Sequence, residues 1–392
     1  MFKVLTLNHI AVEGLRHFPR ERYEVASEIA HPDAIMLRSY NMHDMEIPDT
    51  VAAIGRAGAG TNNIPIEAMS ARGVPVFNAP GANANAVKEL AIAGLLLAAR
   101  NICDAHEHVK GLTATGDALD KAVEAGKKQF VGFELPGKTL GVIGLGAIGV
   151  EVANAALALG MNVVGFDPKI TVRRAWQLSA GVEHAETLDQ LFQKADAITC
   201  HVPLVEETKN IVNRDRIALM RKGGVIINFA RGGIVDNDAI LAALDSGKLH
   251  NYVSDFPTPE LIAHPGVIAL PHLGASTAEA EENCAIMVAE NLKDYLENGN
   301  IRFSVNFPES RLPRLDAWRI TIANANVPNM VGQISTCLAD AELNIEDLLN
   351  KSIGHLAYTI VDVNGPVSDE TMQHIRSIKG VLTLRNLGKP VT

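Results

Sequence analysis

Cysteine is scarce in this chain. Its 392 residues include four cysteines, which lie far apart and form no Cys-x-x-Cys pair: Cys103, Cys200, Cys284 and Cys337. That pattern excludes a disulfide-framework protein and offers no Cys/His spacing typical of zinc. We therefore expect reduced cysteines that pack as small apolar residues, and no bound metal.

A basic excess and long apolar runs are also missing. The net charge is −10, with both signs mixed along the chain, which argues against bulk binding to nucleic acid or an anionic membrane. The longest apolar stretch, residues 90–99, is about half a membrane span, and residues 1–8 do not form a signal peptide. We expect a soluble cytoplasmic protein in which local arginines meet any anionic substrate.

The chain is long enough for two to three domains, and its composition is that of a globular protein. Residues 1–99 and 100–287 both alternate short apolar runs with helical patterns, which predicts two parallel sheets covered on both faces. The predicted strands are 3–7, 34–37, 52–56 and 74–78, followed by 139–143, 162–166, 197–201, 225–228, 252–255 and 267–270.

The predicted helices include 13–17, 66–72, 86–100, 147–159, 215–221 and 236–246. A long helical pattern at 277–297 suits a return to the first domain, so we place 288–310 with 1–99. Residues 318–392 follow the order βαββαβ, which is ferredoxin-like. The predicted fold is therefore α/β, with two Rossmann- or flavodoxin-like parallel-sheet domains and a small C-terminal domain.

A Gly-x-Gly-x-x-Gly turn follows the predicted strand 139–143 and opens a helix. It comprises Gly144, Gly146, Ala147, Ile148 and Gly149. Such a turn brings backbone N–H groups and a helix N-terminus to a pyrophosphate. The next strand ends at Asp167, whose carboxylate is placed to accept a ribose 2′-OH and to repel a 2′-phosphate. We predict a dinucleotide cofactor, with NAD favoured over NADP.

Polar residues collect where the later strands end. They are His201, Ala230 with Arg231, Asp255 and His272, and all should lie at one edge of the sheet. Histidine suits proton transfer to or from a reacting oxygen, and arginine suits a substrate carboxylate. Glu260 is a candidate to orient His272, with a solvated loop glutamate as the alternative.

These motifs together resemble the D-specific 2-hydroxyacid dehydrogenase family over about residues 1–310. The resemblance implies two similar α/β domains and a catalytic set of Arg231, Glu260 and His272. Arg231 would hold the substrate carboxylate, Glu260 would support His272, and His272 would be the acid/base. It also implies cofactor contacts from His201, Val202, Pro203, Thr208, Ala230, Asp255 and Gly274.

Within the family, the N-terminal motifs resemble members that oxidise 3-phospho-D-glycerate to 3-phosphohydroxypyruvate for serine synthesis. The substrate residues this implies are Arg38, Ser39, Arg56, Ala57, Gly58, Ala59, Gly60 and Asn83, with backbone N–H groups of 57–60 on the carboxylate and both arginines on the phosphate. Alternatives are another substrate, such as glyoxylate, hydroxypyruvate or 2-oxoglutarate, and a cofactor-sensing corepressor without catalysis.

The C-terminal 75 residues resemble an ACT domain, an amino-acid-sensing module. The resemblance implies an L-serine effector at Asn324, Asn326, Pro328 and Asn344, with a dimerisation module lacking a ligand as the alternative. The usual Pro-Gly is Pro328-Asn329 here, and asparagine tolerates positive φ better than most residues. We expect a homo-oligomer, a dimer or tetramer, with contacts through the long helix or the ACT edge.

Overall fold

A computed structural model describes residues 1–390. The chain forms two compact units. The first, here the terminal unit, contains Met1–Ala82 and the chain from Ala278 onward; the second, the inserted unit, is Asn83–Thr277. The boundaries between the units differ from the predicted ones at 99/100 and 287/288, because the helices at 84–99 and 278–298 each pack as a whole in one unit.

The terminal unit begins with a five-stranded parallel sheet in the order β2-β1-β3-β4-β5. This is the order of flavodoxin-like folds. Its elements are β1 (Phe2–Leu7), α1 (Val12–Leu15), β2 (Tyr23–Ala26), β3 (Ala34–Leu37), β4 (Ala53–Arg56), α2 (Ile66–Ala71) and β5 (Val76–Phe77). The edge strand β2 was missed by sequence reasoning, and β5 is shorter than predicted.

The inserted unit holds a seven-stranded parallel sheet in the order β12-β11-β10-β9-β6-β7-β8. Its strands are β6 (Thr139–Ile143), β7 (Asn162–Phe166), β8 (Val182–His184), β9 (Ala197–Cys200), β10 (Gly224–Asn228), β11 (Leu249–Ser254) and β12 (Val267–Ala269). The chain reverses direction across the sheet between β6 and β9, which is the switch point where dinucleotide-binding folds place their ligand.

Nine helices belong to the described inserted unit. They are α3 (Ala84–Ala99), α4 (Ile102–Lys110), α5 (Asp117–Gly126), α6 (Ala147–Ala158), α7 (Val172–Ala175), α8 (Leu188–Lys194), α9 (Arg214–Leu219), α10 (Asn237–Asp245) and α11 (Pro259–Ala263). Helix α3 buries Ala91, Leu95 and Ala98 in the core of this unit. That burial moves the boundary from residue 99 to Ala82.

The chain returns to the terminal unit through α12 (Ala278–Asn298). This helix buries Cys284, Val288 and Leu292 in the core beside the first sheet. Gly55 of β4 allows the close packing, because a Cβ there would lie 2.4 Å from Val288 Cγ1. The whole helix, and not only its second half, therefore belongs to the terminal unit.

The terminal unit ends in a four-stranded antiparallel sheet in the order β14-β15-β13-β16. Its elements are β13 (Trp318–Ala325), α13 (Met330–Asp340), β14 (Ile345–Ile353), β15 (Leu356–Val363), α14 (Asp369–Ser377) and β16 (Val381–Gly388). The predicted βαββαβ order and the α/β fold class are confirmed.

The small sheet is joined to the end of α12 by buried polar contacts. Arg319 is fully buried and binds both carboxylate oxygens of Asp362 at 2.6 Å, and it also donates to the Asn298 carbonyl at 3.0 Å. The Tyr358 hydroxyl donates to the Gly299 carbonyl at 2.8 Å. These contacts satisfy the buried guanidinium and hydroxyl, as burial of polar groups requires.

Within residues 1–390, no helix is both long enough and apolar enough to cross a membrane. Over the same residues, no group of three or more His, Cys, Asp or Glu side chains is arranged to hold a metal ion.

Candidate active site

The glycine turn lies between β6 and α6, as the sequence predicts. Gly144 has φ +90°, and a Cβ there would lie 2.7 Å from the His201 carbonyl oxygen. A Cβ at Gly149 would lie 1.8 Å from the Gly144 carbonyl oxygen, so this glycine closes the helix onto the strand. A Cβ at Gly146 would meet nothing within 4 Å. The turn therefore leaves open space at Gly146, where the motif needs room for a pyrophosphate.

Helix α6 begins without a side-chain cap, which leaves first-turn N–H groups, including those of Ala147 and Ile148, without such an acceptor. Asp167 lies beside this turn at the end of β7. Its Oδ2 accepts the Leu145 N–H at 2.8 Å, and its Oδ1 accepts the Lys169 N–H at 2.8 Å. These bonds fix the carboxylate next to the turn and leave lone pairs for a ribose hydroxyl. The arrangement fits an NAD molecule.

His201 follows β9 and faces the same edge of the sheet. Its Nε2 lies 3.0 Å from Thr199 Oγ1, while Nδ1 is buried without a partner among the described residues. Burial lowers the pKa of His201 to about 4, so the ring is neutral at neutral pH. A neutral ring with one unused nitrogen suits contact with an uncharged part of a ligand.

The loop after His201 includes Val202, which is partly buried, and Pro203, which is exposed. Thr208 closes this loop, because its hydroxyl donates to the Pro203 carbonyl at 2.5 Å and accepts the Val205 N–H at 2.9 Å. The hydroxyl predicted to contact the cofactor therefore shapes the loop in this structure.

Asn228, the last residue of β10, is a positioning residue that sequence reasoning missed. It is completely buried, its Oδ1 accepts the Ala230 N–H at 3.1 Å, and its Nδ2 donates to the Arg231 carbonyl at 2.9 Å. The exposed Arg231 side chain folds back, with Nη1 donating to the Ala230 carbonyl at 2.7 Å. The Asn-x-Ala-Arg spacing was visible in the sequence, but only the fold shows that the asparagine holds the arginine backbone.

Asp255 fixes the loop that carries His272. The side chain is buried, its Oδ2 accepts the Gly274 N–H at 3.0 Å, and its carbonyl accepts the His272 N–H at 3.1 Å. His272 has φ +26°, which is uncommon for a residue with a side chain, and its ring lies 5.0 Å from that of Phe256. The structure thus presents an exposed imidazole on a backbone held by a buried carboxylate.

The second oxygen of Asp255, Oδ1, is buried without a partner among residues 1–390. Burial raises the pKa of this carboxyl, and the bond from the Gly274 N–H and the charge of His272 oppose that shift. A buried acceptor with unused lone pairs fits a donor such as the amide group of a nicotinamide.

Glu260 does not pair with His272 in the structure. It lies exposed in the first turn of α11, and the described residues show no ion pair between the two side chains within 4 Å. Its own backbone N–H and the Thr258 hydroxyl lower the pKa of the Glu260 carboxyl. The carboxylate stays ionised at neutral pH, but its predicted contact with His272 is not formed here.

The terminal unit brings Arg38 and Arg56 together at the ends of β3 and β4. Arg56 Nε donates to the Arg38 carbonyl at 3.0 Å, and Asn63 Nδ2 donates to the same carbonyl at 3.2 Å. Arg38 Nη1 lies 2.6 Å from Glu281 Oε2, on the first turn of α12. Sequence reasoning predicted both arginines but missed Asn63 and Glu281. The adjacent Ser39 is exposed.

The predicted carboxylate cradle at residues 57–60 has two of its four N–H groups bonded to backbone carbonyls. The Ala57 N–H donates to the Leu37 carbonyl at 2.7 Å, and the Gly58 N–H donates to the Arg56 carbonyl at 2.8 Å. Both donors are used by the turn itself, because the chain bends sharply after β4. Of the four predicted donors, the N–H groups of Ala59 and Gly60 donate to no backbone carbonyl among the described residues.

Asn83 is the N-cap residue of α3, and its side chain does not cap the helix. Its buried Oδ1 has no partner within residues 1–390.

In the small C-terminal domain, Asn324 is buried and its Oδ1 likewise has no partner among the described residues, whereas Asn326 donates to the Gly354 carbonyl at 3.1 Å. Asn344 donates its N–H to Asn364 Oδ1 at 3.0 Å, and Pro328 is exposed. Asn329 has φ +63°, so the Pro-Asn turn adopts the left-handed conformation that the sequence predicts.

Comparison with known proteins agrees with this geometry. Residues 92–274 match the family described as D-isomer specific 2-hydroxyacid dehydrogenase, NAD binding domain. The chain is 34% identical over 361 residues to a D-3-phosphoglycerate dehydrogenase of Haemophilus influenzae, which covers 88% of this chain and 83% of that protein.

A D-3-phosphoglycerate dehydrogenase of Methanocaldococcus jannaschii is 37% identical over 338 residues, 83% of this chain. This chain spans 61% of that relative's length. Among solved structures, the NAD+-bound 3-phosphoglycerate dehydrogenase of Entamoeba histolytica matches with a TM-score of 0.58 and 26% identity, covering 78% of this chain and 98% of that one.

The family and the cofactor domain predicted from the Gly-x-Gly-x-x-Gly turn and the Arg, Glu and His motifs are therefore confirmed. The similarity to the Haemophilus influenzae protein spans most of both chains. The residues that match the family's NAD-binding domain include the sheet that carries the glycine turn. This chain belongs to the family of D-isomer specific 2-hydroxyacid dehydrogenases and carries that family's NAD-binding domain.

Proposed function

We propose that the chain oxidises 3-phospho-D-glycerate to 3-phosphohydroxypyruvate with NAD, the first step of L-serine synthesis. The observation that carries the proposal is the edge of the inserted unit, where a clamped Arg231 and an Asp255-anchored His272 follow two strands of the NAD-binding sheet. The relatives named D-3-phosphoglycerate dehydrogenase support the choice of substrate.

Bound at the glycine turn and Asp167, NAD would supply the hydride acceptor for C2 of the substrate. Arg231 binds the substrate carboxylate through its planar pair of donors and so orients C2. An imidazole nitrogen of His272 takes the proton of the C2 hydroxyl as the C=O bond forms, and the imidazolium returns that proton in the reverse direction.

Glu260 is proposed to stabilise the imidazolium of His272. Its carboxylate is ionised at neutral pH, and both side chains are exposed and free to change rotamer. Charge–charge attraction would then stabilise the imidazolium that forms as the substrate is oxidised. Asp167 is proposed to select NAD, because a 2′-phosphate would meet its fixed carboxylate.

We further propose that Arg38 and Arg56 bind the substrate phosphate, and that Ala59, Gly60 and Asn83 contribute polar contacts. Paired guanidinium groups are well matched to a phosphate because each offers several donors in a plane. The Arg56 side chain is hydrogen-bonded to the backbone of Arg38, which keeps the two residues adjacent.

The small domain is proposed to sense an amino acid such as L-serine through Asn324, Asn326, Pro328 and Asn344. The unpartnered Oδ1 of Asn324 supports a ligand there, since a buried acceptor without a donor is costly.

Homo-oligomer formation is also proposed, with α4 and α5 as the contact. Neither helix buries an apolar side chain in this chain, and Ile102, Val109 and Val123 are exposed.

The deciding experiment is NADH oxidation by the full chain with 3-phosphohydroxypyruvate, hydroxypyruvate, glyoxylate and 2-oxoglutarate, each with and without L-serine. The proposal expects the phosphorylated keto acid to give the highest kcat/KM. Equal or greater activity on an unphosphorylated acid would assign another 2-keto acid, and no NADH oxidation with any of the four would favour a sensor. If saturating L-serine does not inhibit the enzyme, the proposed L-serine effector is excluded, and the proposed reaction is unaffected.

A further inference from the structure

An acidic side chain occupies the arginine pair of the terminal unit. Glu281 Oε2 lies 2.6 Å from Arg38 Nη1, which is the distance of a charge-assisted hydrogen bond. The Arg38 and Glu281 side chains are 35% and 37% exposed, so a solute can reach both. Neither the family match nor the sequence motifs assign a role to this glutamate.

Glu281 lies in the first turn of α12, close to the buried Cys284. One helical turn later, burial raises the pKa of the Cys284 thiol, while the charges of Arg38 and Arg56 lower it and that of Glu281 raises it. All three charged groups therefore act on the same buried atom, which places them around one point on α12.

The fold holds these groups together. Gly55 lets α12 pack directly on β4, because a Cβ there would meet Val288 and Leu292, and Arg56 is the next residue of that strand. Arg56 Nη1 also lies 2.4 Å from where a Cβ of Gly58 would stand, so the guanidinium rests over that glycine. Two positive groups and one negative group give the cluster a formal charge of +1.

A phosphate monoester carries about −1.5 to −2 charges at neutral pH. It meets the full positive charge of Arg38 only after the Glu281 carboxylate has left that side chain. Binding of a phosphate is therefore an exchange of one anion for another, and its net free energy is smaller than that of binding to an unpaired arginine.

We propose that Glu281 is an internal competitor that holds Arg38 and weakens the phosphate subsite, so that a ligand needs a further contact to bind well. This inference rests on the proposed function, because it takes Arg38 and Arg56 as the phosphate-binding pair. Inorganic phosphate must displace Glu281 with no other contact to help it. A substrate that also binds through its carboxylate can displace Glu281 with the added free energy of that second contact.

The test uses inorganic phosphate and the Glu281→Gln variant, which keeps the shape of the side chain and removes its charge. Thermal unfolding is followed as phosphate replaces chloride at constant ionic strength, so that screening stays equal. Phosphate should stabilise Glu281→Gln at concentrations about two- to five-fold lower than wild type, as expected for a partly exposed ion pair.

Glu282→Gln is the matched control. It removes the same charge from the next position of α12, and Glu282 forms no ion pair with any residue that the structure describes. Its phosphate dependence should equal that of wild type. If phosphate binds equally more tightly to both variants, the cause is the general surface charge and the proposal is wrong. If phosphate binds more weakly to Glu281→Gln than to wild type, Glu281 is a positioning residue for Arg38 and not a competitor.

Kinetics give a second, separate readout. Glu281→Gln should lower KM for 3-phosphohydroxypyruvate about two- to five-fold and leave KM for hydroxypyruvate unchanged. In an Arg38→Gln background the Glu281→Gln change should have no effect on either constant. A wild type without activity on the phosphorylated acid would contradict the proposed function, and the phosphate titration would still decide the role of Glu281.

Discussion

The two sets of candidate site residues are held in place by different forces. In the inserted unit, Arg231 and His272 are positioned by backbone hydrogen bonds to the buried side chain of Asn228 and to the buried residue Asp255. In the terminal unit, Arg38 is held by the half-exposed carboxylate of Glu281. Buried hydrogen bonds are insensitive to salt and costly to break, whereas exposed charge pairs are weak and screened. We therefore expect the first set to control rate and the second to control affinity and specificity.

The largest effect is expected for His272→Asn. Loss of the acid/base should lower kcat on the order of 10²–10⁴-fold, and NADH binding, followed by fluorescence titration, should stay close to that of wild type. An unchanged kcat would remove His272 from the reaction and, with it, the assignment of rate to the inserted unit.

The next effect concerns pH and His201. Its pKa of about 4 in the folded chain lies below the ordinary value near 6.5, so the unfolded chain binds more protons between these values. Stability should fall as pH drops from about 6.5 to about 4, by at most about 3 kcal/mol from this residue. Urea unfolding at about pH 6.5 and at about pH 4 measures this loss in the free energy of unfolding.

His201→Asn should flatten that pH dependence, because the variant has no imidazole to protonate. Replacing the exposed His184 by Asn serves as the control and should leave the dependence of wild type. If stability depends on pH equally in wild type and His201→Asn, then burial does not lower the pKa of His201 in the folded chain.

Asn228→Ala should follow in size. It leaves the Ala230 N–H and the Arg231 carbonyl without their buried partner, which costs about 1–3 kcal/mol of stability. Since the bonds position Arg231, kcat/KM should fall as well. Asn251→Ala removes a comparable buried bond, to the Gly266 carbonyl, and should destabilise the chain with little change in kcat/KM. Equal kinetic losses in both variants would mean that Asn228 acts on stability alone.

The smallest effect is expected for Arg56→Ala. Loss of a charged donor to the phosphate should raise KM for 3-phosphohydroxypyruvate about tenfold, with kcat for hydroxypyruvate unchanged. High salt should shrink the difference. Arg16→Ala, which removes an exposed arginine paired with Glu13, is the control and should change neither constant. A fall in kcat of Arg56→Ala on both acids would contradict the division between rate and affinity.

Much of the fold follows from local patterns. The central strands β6, β9 and β10 are continuous apolar runs and were predicted within a residue, whereas the edge strands β2 and β8 were missed. Tyr23–Ala26 and Val182–His184 are short and partly polar, because one side of an edge strand needs no partner. Their pairing depends on neighbours that the sequence does not specify.

Boundaries between the units were also out of reach of local patterns. Helix α3 has apolar residues on much of its surface, so its sequence is compatible with either unit. Packing decides the choice, since Leu95 and Ala98 fill the core of the inserted unit. The same holds for Ala57 and Gly58, whose N–H groups look free in the sequence and are used by carbonyls in the turn.

The sequence by itself determined the glycine turn, the aspartate after the second strand of the NAD-binding sheet, and the order of Arg231, Glu260 and His272. These features depend on short-range geometry, such as the positive φ of Gly144, which residue type alone restricts. Only the tertiary structure decided that Asn228 clamps Arg231, that Asp255 anchors the His272 loop, and that Glu281 pairs with Arg38. The contacts of Asp255 with the His272 loop and of Glu281 with Arg38 join segments that lie far apart in the chain. The contact of Asn228 is local, but the side chain takes that role because it is buried at the end of β10.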